Sequence, residues 1–162
     1  MVDDKALINR LGFNNSGVNK IIKKLKNKGN VIIGGNIGKN KITPNDRAKN
    51  DYLICFKALY DYVDYFAVNV SSPNTPNLRN LQNVNDLRNI LLPLVKQNKQ
   101  LKSKPILIKI SPDLNDDDIK KIVDMALELK IDGIITSNTT ISRDNLKSKK
   151  KLTNEAGGLS GE

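Results

Sequence analysis

The 162-residue sequence contains no histidine, no tryptophan and a single cysteine, Cys55. Without histidine, Ser-His-Asp and Cys-His catalysis are excluded as self-contained arrangements, and so are the usual imidazole metal sites. One cysteine excludes a disulfide framework and a multi-cysteine zinc site. No metal site is expected. Aromatic residues amount to 4%, too few for the stacking platforms that bind single-stranded nucleic acid. No apolar run approaches the roughly 18 residues of a membrane-spanning helix. Met1-Val2-Asp3-Asp4 begins acidic with no apolar stretch behind it, so no signal or transit peptide is read there.

Charge is one-sided but thinly spread. The net charge is +10, yet of the 27 basic residues 22 are lysine and only five arginine, and 22 further residues are asparagine. Phosphate and groove recognition favours the bidentate fork of arginine. The lysines also fall in separate segments, Lys20 to Lys28, Lys96 to Lys104 and Lys147 to Lys151. This pattern reads as solvated surface, and no nucleic-acid partner is expected. Any weak adhesion to anionic surfaces would be lost in salt.

What is present is enough for one folded domain, since 38% of the residues are apolar and 27% charged. Four β-branched runs stand out: Val31 to Asn36, Tyr65 to Val70, Pro105 to Ile110, and Asp132 to Ser137. Near-continuous apolar runs suit strands of a parallel sheet, buried on both faces. Helices are expected between them. Val18 to Leu25 is one, stopping near Gly29. A second starts with Thr43 as cap and Pro44 at its first position, and carries Ala48, Leu53, Phe56, Leu59 and Tyr60. A third is capped by Asn85 or Asp86, presents Leu87, Ile90, Leu91 and Leu94, and is kinked by Pro93. A fourth begins at the Asn115/Asp118 capping pair and presents Ile119, Ile122, Val123, Met125, Ala126 and Leu129. The stretch from Arg143 to Glu162 reads as a mobile polar loop.

Asn36, Asn69, Lys109 and Ser137 end the four runs at intervals of 33, 40 and 28 residues. Those are the lengths of successive strand-helix units joined by right-handed crossovers. Alternation places Asn36, Ala67, Asn69, Leu107, Lys109, Ile135 and Ser137 on one face, with a polar residue at each strand's C-terminal end. In (β/α) barrels that end carries the active site. Four units are half of such a barrel, which takes about 250 residues. An open doubly wound sheet and a piece of a larger barrel are therefore the two architectures in view, and the ending at Gly157-Gly158-Leu159-Ser160-Gly161-Glu162 favours the piece.

Asn69-Val70-Ser71-Ser72-Pro73-Asn74-Thr75-Pro76 follows one of these strands, and its side chains are rich in hydrogen-bonding groups and stiffened by two prolines. Such a segment suits a planar polar ligand, and equally a tight turn. The longer stretch NVSSPNTPNLRNLQ, Asn69 to Gln82, closely resembles the signature of class 2, quinone-linked dihydroorotate dehydrogenases. INRLGFNNSG from Ile8, GGNIGKNK from Gly34, IKISPDLN from Ile108, DGIITSNTT from Asp132 and GGLSG from Gly157 resemble the same family in the same order.

The resemblance implies an α/β fold: a partial (β/α)8 TIM barrel of about four central strand-helix units, the third to sixth strands. Residues 1–162 would be a single incomplete FMN-binding domain lacking the N-terminal and C-terminal strands. The family oxidises dihydroorotate to orotate in pyrimidine biosynthesis, with FMN as cofactor and quinone as electron acceptor. In class 2 a serine removes the C5 proton, and the matching residue is Ser72; class 1 has cysteine there. Asn9, Arg10, Leu11, Gly12 and Phe13 match the stretch that approaches the substrate, and Asn69, Asn74, Asn138 and Thr139 its polar contacts. Asn36, Asn69, Lys109, Ser137 and Gly161 match FMN contacts. Ser137 stands where threonine is usual and Asn77 where glycine is common. Family members associate peripherally with a membrane through a segment not seen here, on the cytoplasmic side of a bacterial inner membrane or at the mitochondrial inner membrane. This chain alone is expected to bind FMN poorly and to be inactive. The rivals are a class 1 enzyme, the pyrimidine-reducing domain of dihydropyrimidine dehydrogenase, and a non-catalytic basic binding module.

Overall fold

The computed structural model describes residues 1–161. Four of its strands, β2 (Gly34–Ile37), β3 (Tyr65–Asn69), β4 (Ile106–Ile110) and β5 (Gly133–Thr136), pair in chain order into one parallel sheet. Parallel neighbours need long crossovers, and helices α2 (Ala48–Leu59), α3 (Val84–Lys99) and α4 (Asp116–Leu129) supply them. The helix α1 (Val18–Leu25) precedes β2 and packs on α2.

The helices cover one face of the sheet. Ile37, Phe66, Val68, Val70, Ile106, Ile108 and Ile110 point into that core and meet Tyr52, Phe56, Leu87, Ile90, Leu91, Leu94, Ile122 and Met125. Phe56, Tyr60 and Phe66 form an aromatic cluster with centroids 4.4 to 6.1 Å apart, within the range favourable for ring pairs. The register aligns Asn36 with Ala67, Ala67 with Leu107 and Leu107 with Gly133 across the opposite face. One level nearer the C-terminal end, Asn69 aligns with Lys109 and Lys109 with Ile135. This is the face that alternation assigns in the sequence, and it mixes polar with apolar residues.

Several boundaries differ from expectation. Val31 and Ile32 are exposed and precede the strand; the Asp64 carboxylate accepts the Ile33 N–H at 2.8 Å, and pairing starts only at Gly34. Asp132, expected in the last run, instead accepts the Ile106 N–H at 2.8 Å ahead of β5. Thr43 does not cap a helix: Pro44 is extended, a short 3-10 turn spans Asn45–Arg47, and α2 follows. Tyr52, not Leu53, fills the buried stripe of α2. Neither Asn85 nor Asp86 caps α3. Asn83 does, its side chain accepting the Asn85 N–H at 3.0 Å, and the helix runs on through Pro93. On α4, the Asn115/Asp118 pair caps as read, with Asn115 Oδ1 accepting the Asp118 N–H at 2.8 Å. Val123 lies outside its buried stripe.

The segment after Arg143 is ordered, contrary to the mobile loop read from its composition. It forms a short helix, α5 (Lys150–Thr153), and a strand, β6 (Gly158–Gly161), which pairs antiparallel with an unanticipated N-terminal strand, β1 (Ala6–Asn9). The Arg143 guanidinium donates to the Thr153, Glu155 and Gly157 carbonyls at 2.8 to 3.2 Å, and so takes up the carbonyls at the end of α5. Asp4 accepts the Lys147 and Ser148 amides at 2.6 and 3.1 Å. Polar composition misleads here because the ordering groups are charges satisfied by distant backbone rather than apolar side chains.

Candidate active site

The β1–β6 ribbon lies over the C-terminal end of the parallel sheet. At Gly158 a Cβ would stand 1.9 Å from Thr139 Oγ1 and 3.0 Å from Pro73 Cγ, so only glycine lets the ribbon press onto the loops after β3 and β5. Thr140 and Leu159 exchange two backbone hydrogen bonds, 3.0 and 2.8 Å, which extend the ribbon into the β5 loop. Phe13 packs over Gly38 beyond the end of β2.

Beneath the ribbon the loop after β3 is dry. Ser71, Ser72 and Thr75 are at most 6% exposed. The Asn69 side chain, itself 3% exposed, accepts from the Ser71 N–H and Oγ at 3.1 and 2.9 Å. Tyr52 donates its hydroxyl to the Asn69 carbonyl at 2.9 Å. Ser71 Oγ in turn accepts from Asn138 Nδ2 at 3.0 Å, and Asn138 Oδ1 accepts the Thr139 N–H at 2.8 Å. Ser72 Oγ accepts the Asn74 N–H at 3.3 Å, and its own proton has no protein acceptor among the described residues. Asn74 Nδ2 donates to the Asn9 carbonyl and side chain at 3.2 and 3.3 Å.

Beside this network lies an open cleft of about 380 Å³, lined by Lys109, Pro112, Ser137 to Thr140 and Leu159 to Gly161. Lys109 is half-buried there and makes no hydrogen bond or ion pair among the described residues. An unneutralised ammonium on the concave face of a sheet attracts an anionic or electron-rich ligand. Asn36 shares that face, and its amide is likewise without a partner among the described residues. Cys55 is not a nucleophile of this site. It sits on α2, and burial pushes its thiol up, with Asp51 adding to the rise.

Of the residues singled out in the sequence, the structure therefore assembles three groups. Asn9 and Gly12 meet Asn74, with a Gly12 Cβ 3.7 Å from the Asn74 carbonyl. Asn69 reaches Asn138 through Ser71. Lys109, Ser137, Asn138, Thr139 and Gly161 line one cleft. Arg10 and Leu11 stand apart: Arg10 pairs with Glu155 and donates to the Ala156 carbonyl at 3.0 Å, and Leu11 is exposed. Asn36 lies on the edge strand, one level deeper than Asn69.

Sequence reading missed Arg79 and Asp113. Arg79 donates from Nε to the Ser71 carbonyl at 2.9 Å, from Nη1 to Asp113 Oδ2 at 2.5 Å and from Nη2 to the Thr139 carbonyl at 2.7 Å. Asp113 also accepts from the Thr140 hydroxyl, the Ile141 N–H at 3.1 Å and Ser111 Oγ at 3.3 Å. Desolvation is the largest single influence on the Asp113 carboxyl and raises it. The bonds from Thr140, Ile141 and Arg79 together outweigh it and hold the group below the usual carboxylate range. The only signal in the sequence was the position of both residues inside the NLRN and SPDLN stretches.

The family model described as Dihydroorotate dehydrogenase matches residues 1–162. Among curated proteins, the chain is 57% identical over 160 residues to a dihydroorotate dehydrogenase (quinone) of Christiangramia forsetii, covering 98% of this chain and 46% of that protein. It is 48% identical to the namesake of Shewanella sediminis, covering 97% of this chain and 48% of the relative. Among solved structures, a ligand-free DHODH of Eimeria tenella superposes with a TM-score of 0.90 at 34% identity, over 99% of this chain and 51% of that one. A ferulenol complex of DHODH from the same organism gives 0.88 at 35% identity, over 98% of this chain and 49% of that one. The chain thus spans about half the length of the curated relatives it matches, and its four strand-helix units are part of a (β/α) barrel.

Proposed function

The chain belongs to the dihydroorotate dehydrogenase family, whose enzymes are flavoproteins, and we propose that residues 1–162 form the part of a barrel domain that carries the proton-abstracting half of dihydroorotate oxidation. The product is orotate, the cofactor FMN and the electron acceptor quinone. The observation that carries this reading is the burial of Ser72 beneath the ribbon, beside a cleft that holds the Lys109 ammonium, unpaired among the described residues. Glu162 lies outside the described residues.

The donor set fits a flavin. Lys109 offers a cation on the concave face, Asn36 an unpaired amide and Ser137 a hydroxyl at the cleft. A flavin's pyrimidine edge is rich in acceptors and gains negative charge on reduction, which an adjacent ammonium stabilises. Asn36, Asn69, Lys109, Ser137 and Gly161 are the residues that would hold FMN, which when bound supplies the hydride acceptor.

The remaining chemistry belongs to the chain itself. Dihydroorotate is a small ring bearing two amide-like edges and a carboxylate. Asn69, Asn74, Asn138 and Thr139 supply the matching donors and acceptors, with Asn9 and Gly12 against Asn74. Ser72 Oγ takes the C5 proton as it hands its own hydroxyl proton on to water. A hydroxyl is a weak base in water, so the reaction needs the excluded, hydrogen-bonded setting that the ribbon and the β3 loop provide. Serine at this position supports the quinone-linked branch, in line with the names of the relatives. Peripheral association with a bacterial inner membrane, on its cytoplasmic side, belongs to the same reading. No helix among the described residues is long and apolar enough to cross a bilayer.

Anaerobic mixing of the complete flavin-loaded protein with dihydroorotate tests the reading. Bleaching of the oxidised flavin spectrum is expected, with orotate released. An unchanged spectrum at millimolar dihydroorotate would refute it.

A further inference from the structure

At the C-terminal end of the sheet the loops after β3, β4 and β5 meet at an ion pair, Arg79 with Asp113, whose side chains are 17% and 22% exposed, alongside the bonds from the Ser111 N–H to Gln82 Oε1 and from Asn138 to Ser71. Each of the three guanidinium nitrogens of Arg79 is committed to a different acceptor: the Ser71 carbonyl, the Asp113 carboxylate and the Thr139 carbonyl. The carboxylate of Asp113 then gathers Thr140 and Ile141 from the same β5 loop and Ser111 from its own. Three loops are therefore fixed by six hydrogen bonds that share two side chains.

The two backbone carbonyls held by Arg79 adjoin the site. The Ser71 carbonyl belongs to the peptide that links Ser71 to Ser72, so its direction sets the backbone from which the Ser72 hydroxyl projects. The Thr139 carbonyl follows Asn138, whose amide donates to Ser71 Oγ at 3.0 Å. Arg79 thus ties together the same two segments that Asn138 and Ser71 join from the other side. A rigid planar fork can serve three acceptors in fixed relative directions, which the rotatable ammonium of lysine cannot reproduce. An exposed ion pair does little for a fold. This pair differs because its donors are spent on backbone carbonyls of two loops.

We propose that Arg79 is a positioning residue for the reaction, setting the Ser71–Ser72 peptide against the Asn138–Thr139 segment, with Asp113 holding the guanidinium in plane. The inference rests on the reading of Ser72 as the base. Arg79 touches neither that hydroxyl nor the cleft, and it acts through the backbone. Positional errors of this kind, about 1 Å at the reacting group, cost on the order of a hundredfold in rate.

The test compares Arg79→Lys and Asp113→Asn with the unsubstituted flavin-loaded protein, by rapid anaerobic reduction with dihydroorotate. The limiting rate is expected to fall on the order of a hundredfold in Arg79→Lys, with flavin content and half-saturating dihydroorotate nearly unchanged. Asp113→Asn should fall in the same direction, and the double variant no further than the worse single, as for residues acting as one unit. A readout independent of catalysis is amide hydrogen exchange: residues 71–77 and 139–141 should gain exchange together in either variant. Limiting rates equal to that of the unsubstituted protein, or exchange confined to one loop, would overturn the proposal. If the unsubstituted protein itself fails to bleach, the reading of the site has failed rather than the role of Arg79.

Discussion

The two ends of the parallel sheet use polar residues in opposite ways. At the N-terminal end Asp64, Asp132, Asn98 and Lys104 answer backbone needs. Asp64 takes the Ile33 N–H at 2.8 Å and Lys28 Nζ at 2.7 Å, and Asp132 takes the Ile106 N–H at 2.8 Å. Asn98 brackets Lys104 by accepting its N–H at 2.9 Å and donating to its carbonyl at 2.8 Å. Lys104 Nζ donates to the Tyr60 and Val63 carbonyls and sits 4.8 Å above the Tyr60 ring. The Lys104 ammonium is thus spent on the protein's own backbone. At the C-terminal end Asn69, Ser71 and Asn138 bond to one another and Asn74 to Asn9, while the side chains of Lys109 and Asn36 stay unpaired among the described residues. The first pattern stabilises a fold and the second leaves groups free for the proposed site, the division expected of a (β/α) barrel.

Substitutions at the N-terminal end and in the core should therefore change stability and leave the chemistry alone. The largest stability loss is expected from Leu91→Ala, at the centre of α3 and fully buried, at about 2–5 kcal/mol in denaturant unfolding. Lys104→Met should cost about 1–3 kcal/mol, because the Tyr60 and Val63 carbonyls lose their donor. Its flavin reduction rate is expected to match that of the unsubstituted protein, and a large fall would break the contrast between the ends. Asn115→Ala removes the cap of α4 and is expected to cost about 0.5–2 kcal/mol. The smallest effect concerns acid. The Asp113 carboxyl is held below its ordinary value of 3.8, so its folded form favours the ionised state. That contribution is complete above 3.8 and disappears only as pH falls through the lower, folded value. Protection factors for residues 139–141, in which the intrinsic pH dependence of amide exchange is divided out, should accordingly stay flat from neutral pH to about 4 and fall only in stronger acid.

What the sequence made legible follows from the kind of force involved. All four sheet strands and three of the helices come from apolar periodicity, since Phe66, Ile108, Leu91 and Ile122 reach the core on the expected faces. The polar ends of the strands were equally visible, because Asn69 and Lys109 interrupt apolar runs. The β1–β6 ribbon was not legible. Its strands are four residues each, and it is positioned by Asp4, Arg143 and the space at Gly158. The Arg79–Asp113 pair was hidden for the same reason: it joins residues 34 positions apart across three loops, and no local pattern marks such a pairing. The caps misread at Thr43 and Asn85 show the limit of composition at a helix start, where neighbouring residues compete for the same role.

The central claim is that the hydroxyl of Ser72 does chemistry and holds nothing up. Its one hydrogen-bond partner among the described residues is the Asn74 N–H at 3.3 Å, so its loss should not disturb the fold. The direct test is Ser72→Ala in the complete flavin-loaded protein, with melting temperature and the limiting rate of flavin reduction by dihydroorotate measured on the same sample. The expected result is an unchanged melting temperature, full flavin content and a rate lower by about 10²–10⁴-fold, the loss of a general base. A rate equal to that of the unsubstituted protein would contradict the account, because the C5 proton would then leave to some other group.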